Sequence, residues 1–414
     1  MIPLDLLHSN RPPNETEVTE IQAYIAQLNS ALAQLQLRRS KHTLCLRESI
    51  QKQLFDHKSV LSPFRRLPYE IISMIFLMCP QGESLTDAPL LLCRICSLWR
   101  NIALDIPQLW YNPRCAIRLG HFDRAITRLT TWLERSGRDH PLNLSFHLKY
   151  CSPHADGYIE LFEVARSVSL RWKSLVICLS NSSSAFGLID QLNTTNIPQL
   201  ESLTILNLWD SHSHRSCTPP ARPLFSAAPA LRALTTEGIS PTYVRYHVYM
   251  NNLTKLYVRN FRRYHYPDEY LQLLVGCSNL THCAIHCLLD FHHGSHFSPH
   301  LQTLPKLVHL QIEGYCPQFI AIGILLDALA FPLLEFVSIN FWFDSRYGQH
   351  NLAGRPRDAF QTLIERSTHT LLLVSGVADP FLFEMAASVS PTRTIWPCDG
   401  EWYHTKFQSS HHQL

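Results

Sequence analysis

The chain has 414 residues and a formal net charge of +3, from 36 Lys and Arg against 33 Asp and Glu. At about 150 residues per domain, this length allows two or three domains. The hydrophobic content of 46% excludes an intrinsically disordered chain. The charge is too small to indicate binding to nucleic acid or to a membrane surface. The 14 glycines are too few to favour the glycine-rich phosphate loops of nucleotide-binding enzymes.

Targeting signals and cysteines indicate the compartment. The first residues carry no basic segment followed by an apolar one, so the sequence predicts no secretory signal. The 13 cysteines are an odd number without regular spacing, which favours reduced thiols. The longest apolar stretch, 319–336, contains Asp327 and Pro332 and is predicted to be a helix followed by a strand. We therefore expect a soluble protein of the cytoplasm or the nucleus.

Residues 1–63 are predicted to form an N-terminal helix. Asn14 and Glu17 have the spacing of a capping box at its start. Apolar residues then alternate in steps of four and three, which is the seam of a coiled coil: Ile21, Ile25, Leu28, Leu32 and Leu35. After this seam the register slips and a looser apolar stripe continues. The seam fits either packing on the protein itself or self-association through residues 21–54, and both stay open.

The strongest pattern lies in residues 64–111, where two short helices with broad apolar faces are predicted. The first follows Leu67 and Pro68, with proline at a position where a first-turn N–H would be unpaired, and it ends at Pro80. The second carries an apolar stripe over 91–103. Helices this short bury such faces poorly alone, which favours docking into a groove on a partner.

This segment closely resembles the F-box. The family opens with Leu-Pro-x-Glu and an apolar helix, which is matched over 67–76, and closes with Val-Cys-x-x-Trp, which is matched over 95–99. The trailing residues 106–110, Ile-Pro-x-Leu-Trp, are similar to a pattern in an expanded fungal F-box group. The link 81–89 departs from the family, because glycine and proline stand where a middle helix is usual.

The resemblance implies docking to the Skp adaptor of a Skp–cullin–F-box ubiquitin ligase and, through that adaptor, to a cullin. Eight residues would supply the contacts with the adaptor: Leu67, Pro68, Ile71, Ile72, Ile75, Phe76, Cys96 and Trp99. The alternative is a non-catalytic interaction scaffold, independent of ubiquitination. In that case the F-box-like hairpin would cap the repeats that follow it, since terminal repeats need a cap.

Residues 112–397 contain a self-similar unit. The pattern Leu-x-x-Leu-x-Ile/Val recurs with leading positions at 172, 200, 231, 253, 280, 307 and 334. The last three steps are 27 residues long, within the range of about 20–29 that is typical of leucine-rich repeats. The pattern is specific in the last four copies and degenerate in the earlier ones. Helical stretches at 269–275 and 319–329 lie between the predicted strands.

The predicted fold class is therefore α+β. We expect an N-terminal helix, a short helical F-box, an irregular α/β leucine-rich-repeat solenoid in which each unit buries its leucines against its neighbours, and a C-terminal tail at 398–414.

The repeat register predicts which side chains face a partner. Leucine positions point inward, so the third, fifth and seventh residues of each unit point to the other, concave face of the sheet. Stacking three units gives three rows: Lys255, His282 and His309; Tyr257, Ala284 and Gln311; Arg259, His286 and Glu313. We predict that these residues, Ala284 excepted, bind a target protein. An ordinary solvated strand face is the alternative.

Residues 282–296 are crowded with histidine and cysteine, which raises the question of zinc. In the strand register Cys283 points inward while His282 and His286 point outward, so these side chains could not share one tetrahedral ion. We expect no metal and no cofactor.

Aromatic and basic residues interleave over 243–266, but the low net charge disfavours nucleic acid. No catalytic motif occurs, so no catalytic residue is assigned and no enzyme is expected.

Overall fold

A computed structural model describes residue 6 and residues 9–35, 41–79, 88–117, 122–149, 156–180, 196–207, 228–289, 301–315, 319–342 and 371–373. The chain divides into two compact units, Met1–Trp110 and Tyr111–Leu414. Helices form the described part of the first unit, and the second combines helices with a parallel sheet. The mixed helix and sheet content agrees with the predicted fold class. In these ranges no helix has both the length and the apolarity that a membrane crossing requires.

The first unit begins with two helices, α1 (Glu15–Leu35) and α2 (Lys41–Val60). The predicted capping box at the start of α1 is confirmed: the Glu17 N–H donates to Asn14 Oδ1 at 2.8 Å, and the Asn14 N–H donates to Glu17 Oε2 at 2.7 Å. The prediction of one continuous N-terminal helix is wrong, because α2 packs back on α1.

The apolar seam of α1 has a partner within the same chain. Ile21 is 3% exposed and forms a small core with Leu6 and Val60, so the start of α1 lies against the end of α2. Farther along, the Tyr24 ring stands 4.6 Å from the ring of His57. Of the two alternatives, packing on the protein itself is the arrangement in this structure, and self-association through residues 21–54 stays a prediction.

Three short helices follow: α3 (Tyr69–Met78), α4 (Ala88–Ile95) and α5 (Ser97–Leu104). One-turn 3₁₀ helices precede α3 and follow α5, at Pro63–Arg66 and Pro107–Trp110. The sequence predicted a single helix where α4 and α5 lie. That prediction is wrong at Cys96, whose extended backbone (φ −157°, ψ 172°) separates the two helices. A break of one residue leaves the apolar periodicity almost unchanged, so the pattern did not reveal it.

The second unit contains twelve strands in its described residues. In chain order they are β1 (Arg114–Ile117), β2 (Leu142–Lys149), β3 (Trp172–Ser180), β4 (Ser202–Asn207), β5 (Ala233–Glu237), β6 (Lys255–His265), β7 (His282–Leu289), β8 (Gln302–Thr303), β9 (His309–Tyr315), β10 (Leu329–Ala330), β11 (Phe336–Trp342) and β12 (Leu371–Leu373). Ten of them form one parallel sheet in chain order, and β8 and β10 form a separate two-stranded sheet. The described residues of this unit also contain five α-helices: α6 (Phe122–Arg135), α7 (Asp156–Arg166), α8 (Pro241–His247), α9 (Pro267–Val275) and α10 (Phe319–Asp327).

The same four-residue turn precedes six strands of the large sheet, β4, β5, β6, β7, β9 and β11. In each turn the N–H of a leucine donates to the carbonyl three residues earlier, over 3.0 to 3.3 Å. These leucines are at most 1% exposed: Leu200, Leu231, Leu253, Leu280, Leu307 and Leu334. They are leading positions of the predicted repeat, so each of these predicted units corresponds to one turn and one strand.

Backbone hydrogen bonds also join equivalent residues of successive turns. The Thr281 N–H donates to the Thr254 carbonyl, the Val308 N–H to that of Thr281, and the Glu335 N–H to that of Val308, each at 2.9 Å. The buried side chains of the strands and turns form one continuous apolar core along the sheet. Each unit therefore obtains both its backbone partners and its burial from the units beside it.

Strand β6 contains the main irregularity of the central sheet. Its pairing with β7 shifts between Asn260 and Tyr264, so residues 261–263 form a bulge. A buried network of hydrogen bonds joins the residues that flank this bulge. Asn260 Nδ2 donates to His265 Nε2 at 2.8 Å, and the other ring nitrogen of His265 lies 3.1 Å from a Glu269 carboxylate oxygen. With Nε2 accepting, the proton of the neutral ring sits on Nδ1 and is donated to Glu269.

Adjacent leucines in one turn test the importance of the repeated burial. Leu334 is fully buried and Leu333 is 54% exposed. We expect Leu334→Ala to lower the free energy of unfolding by about 2–5 kcal/mol, through lost burial and a cavity, and Leu333→Ala to change it by less than about 0.5 kcal/mol. Urea unfolding of both full-length variants measures the difference. Equal losses would show that the turn does not anchor its strand.

Candidate interaction surfaces

The structure divides the eight residues predicted to dock the Skp adaptor by exposure. Ile71 is 42% exposed and Pro68 is exposed, whereas Ile72 and Phe76 are 1% and 0% exposed. The remaining four are partly buried: Leu67, Ile75, Cys96 and Trp99. Ile72 and Phe76 belong to the core of the first unit and are buried in this structure, and their contact with the adaptor stays a prediction.

Cys96 and Trp99 have roles within the first unit. The Trp99 ring packs on Phe76 and Phe64, with ring centroids 4.9 and 5.8 Å apart. Cys96 is the N-cap of α5, and its Sγ accepts a hydrogen bond from the Trp99 N–H at 3.5 Å. The Cys-x-x-Trp spacing therefore serves helix capping and internal packing here.

Helix α3 exposes large apolar side chains on the side opposite its buried residues. This α3 outer face consists of Ile71, Met74, Leu77 and Met78, which are 42%, 59%, 45% and 80% exposed. Within residues 64–111, four more apolar residues are also exposed: Phe64, Tyr69, Leu91 and Ile95. A helix that is apolar on all sides is normally buried, so the α3 outer face is suited to a protein partner.

Sequence reasoning named only Ile71 among the residues of the α3 outer face. The composition of α3 could have identified the others. Eight of its ten residues are apolar or aromatic, and the remaining two are Glu70 and Ser73. Such a helix has no polar side to turn toward water. Whichever half faces the core, the other half must be apolar and exposed.

The polar face of the large sheet has the register predicted from the sequence. Lys255, His282 and His309 are direct partners on β6, β7 and β9. The same holds for the other two rows: Tyr257, Ala284 and Gln311; Arg259, His286 and Glu313. The predicted rows are confirmed as neighbours on one face. Their binding role stays a prediction.

The third row of the polar face pairs its charges internally. Arg259 lies 3.6 Å from a carboxylate oxygen of Glu237 on β5, and His286 Nδ1 lies 3.2 Å from Glu313 Oε2. Gln311 donates to the other Glu313 oxygen at 2.6 Å. Sequence reasoning missed Glu237, although the rule that selects the seventh residue of each unit finds it when applied to the unit that begins at Leu231.

Tyr257 occupies the centre of the polar face. Its ring centroid stands 5.1 Å from that of His286. Burial raises the pKa of the Tyr257 hydroxyl to about 12; the carboxylates of Glu237 and Glu313 act in the same direction, and Arg259 opposes them. The hydroxyl therefore stays protonated at physiological pH and can donate a hydrogen bond.

The first row of the polar face contains a stacked pair of histidines. The His282 and His309 rings lie 4.5 Å apart and 10° from parallel, beside the exposed Lys255. The Thr281 hydroxyl donates to the Thr254 carbonyl at 2.9 Å and stands 2.9 Å from His282 Nδ1, so Nδ1–H donates to the hydroxyl oxygen. Burial, with His309 and Lys255 nearby, lowers the pKa of His282.

The histidines and cysteines of β7 lie on opposite sides of the strand, as the register predicts. Cys283 and Cys287 are 3% and 0% exposed on the core side, where burial raises the pKa of the Cys283 thiol. His282 and His286 lie on the polar face. Among the described residues no group of three potential ligands is placed to hold a metal ion. The other histidines of the crowded stretch 282–296, His292, His293 and His296, lie outside the described residues.

In the aromatic and basic stretch over 243–266, the described side chains differ in exposure. Tyr243 is buried, and Arg245 donates to Gln272 on α9. Tyr264 and Tyr266 are 50% and 39% exposed. The side chains of 261–263 lie outside the described part of the chain.

Comparison with models of known protein families finds no match for this chain, and comparison with curated proteins finds none either. The α3 outer face and the polar face are therefore the features from which a function can be inferred. The first is apolar and lies on the short helices of the first unit. The second is polar and histidine-rich.

The lowered pKa of His282 predicts how stability depends on pH. The unfolded chain has an ordinary histidine pKa of about 6.5, so between that value and the lower folded pKa it binds more protons than the folded chain. The free energy of unfolding should therefore decrease as pH falls below about 6.5.

Imidazole NMR and urea unfolding measure this effect. We expect His282 to titrate below pH 6.5, and Lys255→Met to raise its midpoint because a neighbouring positive charge is removed. His282→Asn should reduce the loss of stability between pH 7.5 and pH 5.5. A midpoint above 6.5 in the wild type would contradict the prediction.

Proposed function

We propose that this protein is a substrate-recognition adaptor of a Skp–cullin–F-box ubiquitin ligase. Its helical hairpin docks the Skp adaptor, and its repeat region binds a target protein. The observation that carries the proposal is the α3 outer face, which lies within the segment whose Leu-Pro-x-Glu and Cys-x-x-Trp motifs resemble the F-box. The cytoplasm or the nucleus, where such ligases act, is part of the proposal.

The exposure of α3 supports docking into a partner groove. Ile71, Met74 and Met78 follow spacings of three, four and seven residues, which is the arrangement by which a helix places side chains into an apolar groove. Burying one such side chain contributes about 1.5–3 kcal/mol. The residues that we propose for the contact are therefore those of the α3 outer face, with Leu67 and Pro68 beside them, while Ile72, Phe76 and Trp99 hold the helix in place.

The repeated turns support a leucine-rich-repeat solenoid as the target-binding part. Six strands begin from the same hydrogen-bonded turn on a buried leucine, and successive strands pair in parallel. We propose that the polar face of this sheet contacts the target. Its central residues include tyrosine and arginine, the types enriched at interface hot spots.

The proposed mechanism is proximity. The adaptor holds a target close to a ubiquitin-charged enzyme that other subunits supply, which raises the effective concentration of the reacting groups. The bond-forming residues then lie on other chains. We accordingly propose no catalytic role for this chain, and no cofactor.

Substitution of the α3 outer face tests adaptor docking. We expect Ile71→Asp combined with Met74→Asp to weaken binding to the purified Skp adaptor at least tenfold, because two charges would enter an apolar contact. Phe55→Asp is the matched control, since Phe55 is 73% exposed on α2, outside the F-box-like segment. It should bind as the wild type does. Calorimetric titration measures all three, and circular dichroism verifies that each variant is folded.

Two results would overturn the docking proposal. One is the absence of binding between the wild-type chain and the Skp adaptor. The other is unchanged affinity of the double variant. Either result would favour the alternative of an interaction scaffold whose hairpin caps the repeats. Substitution of Ile72 is unsuitable for this test, because it is buried and its loss would unfold the hairpin.

The double variant also provides a way to find the target. In cells that express it in place of the wild-type chain, we expect the target to accumulate, because the variant still binds it but cannot deliver it to the ligase. Quantitative proteomics of the two cell lines measures this difference. In cells that express Phe55→Asp, the abundance of the target should equal that in wild-type cells. If no protein changes in abundance, the chain does not direct degradation.

A further inference from the structure

The charges of the polar face are not equally available to a ligand. The third row is compensated internally, because Arg259 pairs with Glu237 and His286 pairs with Glu313. The first row is different. Among the described residues, neither Lys255, His282 nor His309 forms an ion pair with a carboxylate, and the row carries a lysine and two titratable rings side by side.

We propose that the row formed by Lys255, His282 and His309 is an oxyanion site, which receives a carboxylate or phosphoryl group of the target protein. This inference rests on the proposed function, since it assigns a chemistry to the target-binding face. It also changes the preferred contacts. Arg259 and His286 are engaged within the face, so the first row is the part that selects an acidic group.

The hydrogen bonds of the row leave one nitrogen of His282 for a ligand. Nδ1–H is committed to the Thr281 hydroxyl, whose own hydrogen goes to the Thr254 carbonyl. Nε2 is the remaining nitrogen, and once protonated it becomes a donor with a positive charge. Lys255 supplies a second donor from the neighbouring strand, at a register position directly beside His282. Charge-assisted hydrogen bonds of this kind are the strongest that side chains make to oxyanions.

Binding at this site should be coupled to proton uptake. The groups that face His282 are Lys255 from β6 and His309 from β9, with Thr281 on its own segment. Burial, together with His309 and Lys255, disfavours protonation of His282 in the free protein and lowers its pKa. An oxyanion between these groups reverses that balance, so the ligand and the proton bind together. Affinity for an anion of constant charge should therefore rise as pH falls from 7.5 to 6.0.

The ring geometry disfavours a metal ion as the ligand. Rings that are 10° from parallel and 4.5 Å apart direct their lone pairs side by side and not toward one point. A metal bound by two imidazoles needs lone pairs that converge on it at about 2.0–2.1 Å. The neighbouring Lys255 would also repel a cation. The row therefore suits an anion.

Sulfate is the probe that tests the site, because its charge does not change between pH 6.0 and pH 7.5. Imidazole NMR of the full-length protein follows its titration at constant ionic strength. We expect saturable shifts of His282 and His309, with several-fold tighter binding at pH 6.0. Lys255→Met should weaken binding about tenfold through the loss of one charge-assisted hydrogen bond. Lys306→Met is the matched control, since Lys306 Nζ donates to Asn279 Oδ1 and is not a member of the row, and it should bind sulfate unchanged.

The outcomes separate this proposal from the proposed function. Shifts that do not saturate, or that Lys255→Met leaves unchanged, would overturn the oxyanion site without any bearing on the Skp adaptor. Conversely, saturable binding stands even if the chain fails to bind the adaptor. Two short peptides, one with phosphoserine and one with glutamate at its centre, then identify the source of the anion. Failure of both to displace sulfate would overturn the assignment to a protein target.

Discussion

Every strand of the large sheet obtains its hydrogen bonds and its burial from the units beside it. The strands pair in parallel and in chain order, so neighbours in the sheet are, with few exceptions, neighbours in the sequence. The fully buried leucine of each turn fits between the preceding and the following unit, and the turn carbonyls accept N–H groups from the next turn. A unit taken alone would expose both its leucine and its backbone groups. The register of the polar face follows directly from this constraint, because equivalent residues must lie side by side.

The same constraint explains why the polar face tolerates so many charges. Side chains at equivalent positions stand one strand spacing apart, about 4.8 Å, so a charge in one unit always meets the residue at that position in the next. Opposite charges on adjacent strands, as at Glu237 and Arg259, stabilise the row by contact. Like charges would destabilise it. In the first row the conflict is relieved at His282, whose lowered pKa favours the neutral ring beside Lys255 until a lower pH or a bound anion favours its protonation.

The sequence predicted the register well because two signals coincide there. Inward apolar residues recur every second residue within a strand, and the last four units follow one another at steps of 27 residues, so one assignment satisfies both. Burial in β7 alternates residue by residue from His282 to Leu289, as the pattern requires. Burial in the helical hairpin was harder to predict, since α3 has no polar side that would indicate which of its residues face the core. Periodicity placed Ile71 and Ile72 on one broad face, while packing buries only Ile72 with Phe76.

The N-terminal seam was ambiguous for a related reason. A heptad stripe indicates that a helix packs against an apolar partner. It does not indicate whether that partner is another molecule or the next helix of the same chain. The pairing of Ile21 with Val60 depends on a reversal of the chain between α1 and α2, which periodicity does not encode.

The two surfaces differ in what they leave uncompensated, and this difference is the basis for the chemistry of the partners that we propose. On the α3 outer face the uncompensated quantity is apolar area, with Met78 80% exposed, and only an apolar groove removes that area from water. On the polar face the third row satisfies its own charges, and what remains is the positive potential of the first row. A ligand gains nothing by competing with Glu313 for His286, whereas an oxyanion at His282 and Lys255 replaces a repulsion by an attraction. On the proposed oxyanion site, the described part of the polar face therefore selects its ligand at the first row.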